Sequence, residues 1–246
     1  MLESHDYVKV TKMGNITEIQ YLQHRNSLQT VKKISKNEYV VLKTGEIKES
    51  RKGETRADNI SGLRKTFKKL RYLINSNFYG SKNELFITLT YKENMQDVKK
   101  LYRDFDKFIK KMKRKFGDIL YISVVEPQER GAFHYHVLIK FLDSGNSKKI
   151  FIANEIIEKM WGQGFVNVQS TYGIDNIGVY LTAYLTDIEV NDNDDVNNKN
   201  VIEKQVNGKS KRFIKGGRLK LYPTAMNYYR HSRNIKKPIE FYKEYG

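Results

Sequence analysis

The sequence predicts an α+β fold: a ferredoxin-like split βαβ arrangement whose antiparallel sheet carries helices on one face and leaves the other free for a site. Three observations predict it. Runs of β-branched and aromatic residues fall at 85–91, 120–126, 133–141 and 165–169. Helical periodicity fills the gaps between the first and second runs and between the third and fourth, while a Pro- and Gly-bearing PQERGA segment of hairpin length joins the second to the third. The resulting order is β-α-β-β-α-β.

Each element has its own reason. Residues 1–56 are rich in Lys, Thr and Tyr, with short β-like runs such as 38–43 ending at Thr44-Gly45, and predict a small N-terminal β appendage. Ile60, Leu63, Phe67, Leu70, Ile74 and Phe78 recur at spacings of three and four, which predicts an amphipathic helix over 60–78. Its other face carries Arg64, Lys65, Lys68, Lys69 and Arg71, either a solvated surface or a contact for DNA phosphates. After the LFITLTY strand, Asn94 is placed to cap a second helix with the stripe Val98, Leu101, Phe105, Phe108, Ile109, Met112 and Phe116, ended by Gly117.

The strands at 120–126 and 133–141 should pair antiparallel. A short helix follows at 153–161, closed by Gly162; then a strand at 165–169 and a helix from its cap Asp175 to about 188. The expected division is a core over 57–188 that includes the basic helix, a flexible acidic and Asn-rich linker over 189–200, and a basic segment over 201–246 that packs on or extends the core.

Forty-five Lys and Arg against 28 Asp and Glu give a formal net charge of +17, which points to a polyanionic partner. Zero cysteine excludes disulfides, thiolate zinc, iron–sulfur clusters and Cys nucleophiles, so any metal must be held by His, Asp or Glu. Without a signal-like N-terminus or an apolar run of spanning length, the expectation is a cytoplasmic protein with no membrane partner.

His134-Tyr135-His136 lies within a strand, so the period of two places both imidazoles on one face. Glu126, ending the preceding strand, should sit across from His134 and add a hard anionic donor, giving a three-ligand site with open positions. Otherwise a His-x-His pair is a surface feature. Tyr180 and Tyr184, four apart on the expected helix, either pack or act as nucleophiles for phosphodiester cleavage. Gly208-Lys209-Ser210 imitates the end of a P-loop, but Glu203 stands where that pattern needs Gly, and GKSKR reads as a basic loop.

FITLTY, FHYHVLIK and NIGVYLTAYLTD occur in the order and at roughly the separations of the three motifs of the HUH endonucleases. The chain resembles the rolling-circle replication initiators of bacterial plasmids, phages and integrated mobile elements, from about residue 56 to 238, with EPQERGAFHYH, MWGQGF and RNIKKP as further points of likeness. The resemblance implies an HUH endonuclease fold with His134 and His136 as the metal-binding pair and Glu126 as third ligand, ahead of the loop residues Gln128 and Glu129. Tyr180 would match the tyrosine common to the one- and two-tyrosine classes, and Tyr184 the second. Many such proteins carry Lys three residues after each tyrosine, where this sequence has Ala183 and Asp187. A helper cation must then come from elsewhere, Lys215, Arg218 or Lys220.

The implied function is sequence-specific nicking and strand transfer on single-stranded DNA, through a 5′-phosphotyrosine and a free 3′-OH that primes rolling-circle replication. Mg²⁺ or Mn²⁺ fits the donor set, because phosphodiester cleavage needs the non-bridging oxygens polarised. Expected DNA-binding residues are Arg64, Lys68, Lys209, Lys211, Arg212, Lys215, Arg218 and Lys220, with single-stranded DNA, origin duplex, and a host helicase and polymerase as partners. A conjugative relaxase or single-strand transposase would share the chemistry. A non-catalytic RRM-like nucleic-acid binder is the reading from another class.

Overall fold

A computed structural model describes residues 7–21, 29–50, 60–128, 131–145, 149–174, 176–178, 181, 188–190, 201–206, 209–214, 221–223 and 226–244. In chain order the elements are β1 (Tyr7–Met13), β2 (Ile16–Tyr21), β3 (Val31–Lys33), β4 (Glu38–Val41), β5 (Ile47–Glu49), α1 (Ile60–Asn75), β6 (Glu84–Leu89), α2 (Val98–Phe116), β7 (Ile119–Pro127), β8 (Phe133–Phe141) and α3 (Asn154–Trp161). There follow β9 (Val166–Ser170), β10 (Ile188–Val190), β11 (Val201–Val206), β12 (Lys209–Ile214), β13 (Tyr229–His231) and β14 (Ile239–Glu244).

The fold is α+β, and its centre is a five-stranded sheet in the order β13-β7-β8-β6-β9, antiparallel at every pairing. Because β6 and β7 are each antiparallel to β8, they run parallel to one another, and α2 is the crossover between them. Two further sheets take up both ends of the chain: β14-β1-β2 and β3-β4-β5, with β10-β12-β11 as a fourth. The described part of 1–56 is therefore divided between two sheets. β1 is paired along its length with β14, from Tyr7 opposite Glu244 to Lys12 opposite Ile239.

The period of two in β6, β7 and β8 divides their side chains between two cores. Ile87, Leu89, Ile119, Tyr135, Val137 and Ile139 pack with Leu101, Phe105, Phe108 and Met112 of α2 and with Ile157 and Trp161 of α3. Ring stacking fixes its centre, with Phe105 and Tyr135 centroids 4.5 Å apart. On the other face Leu120, Ile122, Val124 and Leu138 meet Leu70, Leu73, Ile74 and Phe78, together with Ile177 and Leu181. This corrects the expectation of helices on one face only. The apolar stripe of α1 needs burial as much as those of α2 and α3, and the second sheet face is the apolar surface it covers.

Other expectations shift for local reasons. α1 ends at Asn75 rather than 78: the Asn77 amide turns to the Ile74 carbonyl at 3.0 Å, and the Asn77 Nδ2 donates in its place to the Leu73 carbonyl at 2.7 Å. Phe78 is buried all the same. The N-cap of α2 is Asp97, which accepts from the Lys99 and Lys100 amides, and not Asn94. The Met95 carbonyl accepts from the Phe133 amide at 3.0 Å, which holds the chain extended beyond Asn94. The expected helix from 175 does not reach 188, since Ile188–Val190 pairs with β12. GKSKR is no loop either: Lys209–Ile214 pairs with Val201–Val206, and the Asn207-Gly208 dipeptide between them is a hairpin signal in the sequence. Among the described residues no helix is long and apolar enough to cross a membrane.

Candidate metal and nucleophile site

β7 and β8 set the geometry. Glu126 lies directly opposite His134 and Val124 opposite His136, so all three polar side chains share the α1 face of the sheet. The closest approach is diagonal. Glu126 Oε2 lies 2.5 Å from His136 Nε2, within a site where the glutamate side chain is only 7% and the histidine 13% exposed. His134 is half-buried one pleat along, with Nε2 shielded from solvent. Among the described residues no three His, Asp or Glu side chains are gathered tightly enough to hold a metal ion as they stand. Glu126 and His136 are a carboxylate and an imidazole aimed at one point, a donor set that suits a divalent cation, with His134 on the same face.

The other imidazole nitrogen is also held. His136 Nδ1 lies 3.2 Å from Thr88 Oγ1, the residue opposite it on β6. As the site stands, Nε2 shares a proton with Glu126; were a cation to take the place of that proton, an Nδ1–H donated to Thr88 Oγ1 would leave Nε2 its lone pair for the metal, as an outer hydroxyl commonly does for a ligand imidazole. Phe86, two residues before Thr88 and on the same face, stacks on the His136 ring with 1° between the planes. Neither Thr88 nor Phe86 follows from the histidine motif; their signal is the parity of FITLTY, which puts both on the histidine face. Tyr135 points the other way. Its hydroxyl donates to the Leu101 carbonyl at 3.3 Å, and burial pushes its phenol pKa far above the ordinary value, so it is unsuited to act as a nucleophile.

Tyr180 and Tyr184 lie outside the described residues, as do Ala183, Asp187 and Asp175. Their neighbours do not. Ile177 and Leu181 are buried against Leu138, and with Phe86 and Leu138 they line a narrow cavity on the face that carries Glu126, His134 and His136. One aromatic ring, Phe86, thus touches both the tyrosine-bearing segment and the His136 imidazole. The approach to Tyr180 is fixed on α1: Asn75 Nδ2 donates to Asn176 Oδ1 and Asn75 Oδ1 accepts from the Gly178 amide. A Cβ on Gly178 would lie 2.5 Å from Asn75 Oδ1 and 2.9 Å from the Arg71 carbonyl, so the glycine of NIGVY is a close-approach residue.

Of the residues expected to bind DNA, Lys68 is committed within the protein. Its Nζ donates to Gln20 Oε1 at 2.7 Å and lies over the Tyr72 ring, while neighbouring Arg71 pairs with Glu18 at 2.6 Å. Burial opposes ionisation of Glu18, but hydrogen bonds from Tyr72 and Arg71 outweigh it and hold the carboxyl below its ordinary pKa. Part of the basic face of α1 is thereby a dock for β2. Arg212 is half-buried in β12, opposite Glu203 and Val190. Lys215, Arg218, Lys220 and Glu129, and the side chains of Arg64, Lys209 and Lys211, lie outside the described residues.

No curated protein and no solved structure matches the chain significantly. Residues 84–189, from the start of β6 to β10, match the ORF2 family of replication-associated proteins, and that match supports a role in replication initiation.

Proposed function

We propose that this chain is a metal-dependent single-stranded DNA endonuclease and strand transferase of the HUH type that initiates rolling-circle replication. The observation that carries the reading is the shared sheet face: Glu126, His134 and His136 lie on it, and Ile177 and Leu181, which flank Tyr180 in the sequence, pack against it. The strand order of the sheet, with β8 inserted between the parallel β6 and β7, is that of a split βαβ fold, which supports the same reading. The family match over 84–189 favours replication over conjugation or transposition.

Each residue then has a task. Glu126, His134 and His136 would hold Mg²⁺ or Mn²⁺, which would supply Lewis-acid polarisation of the scissile phosphate. Thr88, in contact with His136 Nδ1, would orient that imidazole toward the cation, and Phe86 stacks on its ring. The Tyr180 oxygen attacks phosphorus and loses its proton; the bond from phosphorus to the 3′ oxygen breaks, and that oxygen takes up a proton as a free 3′-OH. The phosphodiester is conserved as a 5′-phosphotyrosine, so rejoining needs no ATP, and Tyr184 supplies a second cleavage at termination. A host helicase would separate the strands and a host polymerase would extend the 3′-OH.

A denaturing-gel assay tests this. Purified protein is mixed with Mn²⁺ or Mg²⁺ and end-labelled single-stranded DNA from its element's origin, alongside Tyr180→Phe, Tyr184→Phe and the double variant His134→Ala/His136→Ala. A covalent protein–DNA band that disappears with EDTA, with the histidine variant and with one tyrosine variant is the expected result. Tight binding with no nick and no adduct, indifferent to chelator, would sink the reading in favour of a non-catalytic binder.

A further inference from the structure

The reverse side of the sheet carries a groove that the cleavage reading does not use. It runs between α2 and α3, has a volume of about 680 Å³, and is lined by Lys111, Arg114, Lys115, Ile156, Lys159 and Met160. Since α2 and α3 cover the core face opposite to the histidines, the groove faces away from the candidate active site.

Its chemistry is one-signed. Lys111, Arg114 and Lys115 are spaced three and four apart, so they share one side of α2 and face Lys159 across the groove. All four are exposed. Glu155 and Glu158 belong to α3 but do not line the groove, and no salt bridge among the described residues engages Arg114, Lys115 or Lys159. Lys111 is used locally, donating to the Met160 carbonyl at 2.8 Å and so tying α2 to the last turn of α3. That tie fixes the two walls and leaves three cations for a ligand.

We infer that this groove binds the phosphate backbone of duplex DNA, holding the origin duplex on the side opposite to the strand being cut. Four like charges brought together repel one another unless a polyanion enters between them. The lining favours a duplex over a single strand, because it offers cations and short apolar contacts but no aromatic ring on which an unpaired base could stack. That the groove binds duplex does not rest on the cleavage chemistry; its place opposite the cut strand rests on the function proposed above.

The test compares the full chain with Arg114→Gln/Lys115→Gln/Lys159→Gln, and with a control that removes three exposed charges elsewhere, Lys32→Gln/Lys43→Gln/Lys237→Gln. Binding of a labelled random-sequence duplex and of a single strand is followed by anisotropy across a salt series. For the groove variant the slope of log affinity against log salt should become shallower by about 3, with duplex affinity down at least about tenfold at low salt. The control's slope should stay as in the wild type, and binding and nicking of the single strand should be unchanged in the groove variant. An unchanged duplex slope, an equal change in the control, an equal loss on the single strand, or a wild type that fails to bind duplex overturns the proposal. A wild type that binds duplex through the groove but never nicks overturns the cleavage reading alone.

Discussion

Asn75 Oδ1 accepts the Gly178 amide hydrogen at 3.0 Å, where the C-terminal turn of α1 meets the segment leading to Tyr180. Asn75 is 2% exposed, so water cannot replace it. Gly178→Ala is expected to cost about 1–3 kcal/mol in urea unfolding through overpacking. It should also lower nicking more than an equally destabilising core variant does, because the displaced backbone precedes Tyr180, the proposed nucleophile. A single-turnover nicking assay, with stability matched by Ile122→Val or a similar change, checks this.

Thr88 bears on the proposed metal site through its contact with the His136 imidazole. Thr88→Val keeps the shape and removes the Oγ1 contact at 3.2 Å. The metal concentration needed for half-maximal nicking should rise by about 10- to 100-fold, with little change in thermal stability. Thr88→Ser should restore the wild-type titration, and a Val variant with an unaltered metal titration would count against the positioning role.

The dock between β2 and α1 should be sensitive to acid. Glu18 has a folded-state pKa below its ordinary value of 4.5, so the stability it contributes is present above the unfolded-state pKa and is lost as pH falls through the lower, folded one. The difference in melting temperature between wild type and Glu18→Gln should therefore be constant near neutrality and should close in the acid range below that ordinary value. Tyr72 adds the opposite limb: burial, with the hydrogen bond to Glu18, pushes its phenol up to about 12. Its contribution is complete below the ordinary tyrosine pKa and fades as pH rises through the folded value. A gap between wild type and Glu18→Gln that widens in acid would contradict the assignment.

Asn77 staples the chain before β14 to the end of α1. Its Nδ2 donates to the Leu73 and Lys236 carbonyls, and its Oδ1 accepts from the Lys236 amide at 2.8 Å. Asn77→Ala takes this partner from the Leu73 carbonyl, which is buried, and from the part-buried Lys236 amide and carbonyl, and should cost about 1–3 kcal/mol. Amide exchange at Lys236 should accelerate more than exchange in α2, which would separate local release from global destabilisation.

The central sheet was legible because its signals are local. LFITLTY, the Phe105-Phe108-Met112 stripe and the PQERGA hairpin each carry their period on the page, and the register of Glu126 with His134 follows from the hairpin. What was not legible is long-range. Nothing in Glu18 or Arg71 marks them as partners 53 positions apart, so the basic face of α1 read as free surface. The closer pairing of Glu126 with His136 depends on the diagonal reach of a side chain, which register alone does not give. Thr88 and Phe86 were in plain sight within a motif, but their roles appear only once β6 is placed beside β8.

The pairing of β1 with β14 has a kinetic consequence. Lys9 and Glu240, joined at 2.7 Å, are 231 positions apart, and closing a loop of that length costs about 3 kcal/mol more entropy than closing a ten-residue hairpin. On the ribosome, the β1–β2 ribbon must wait with one edge unpaired while the rest of the chain emerges. The histidine sheet can form before that closure, since all its strands but the short β13 lie within residues 84–170. Folding should therefore run from the middle outwards, with the β1–β14 seam the last to close and the first to open under stress.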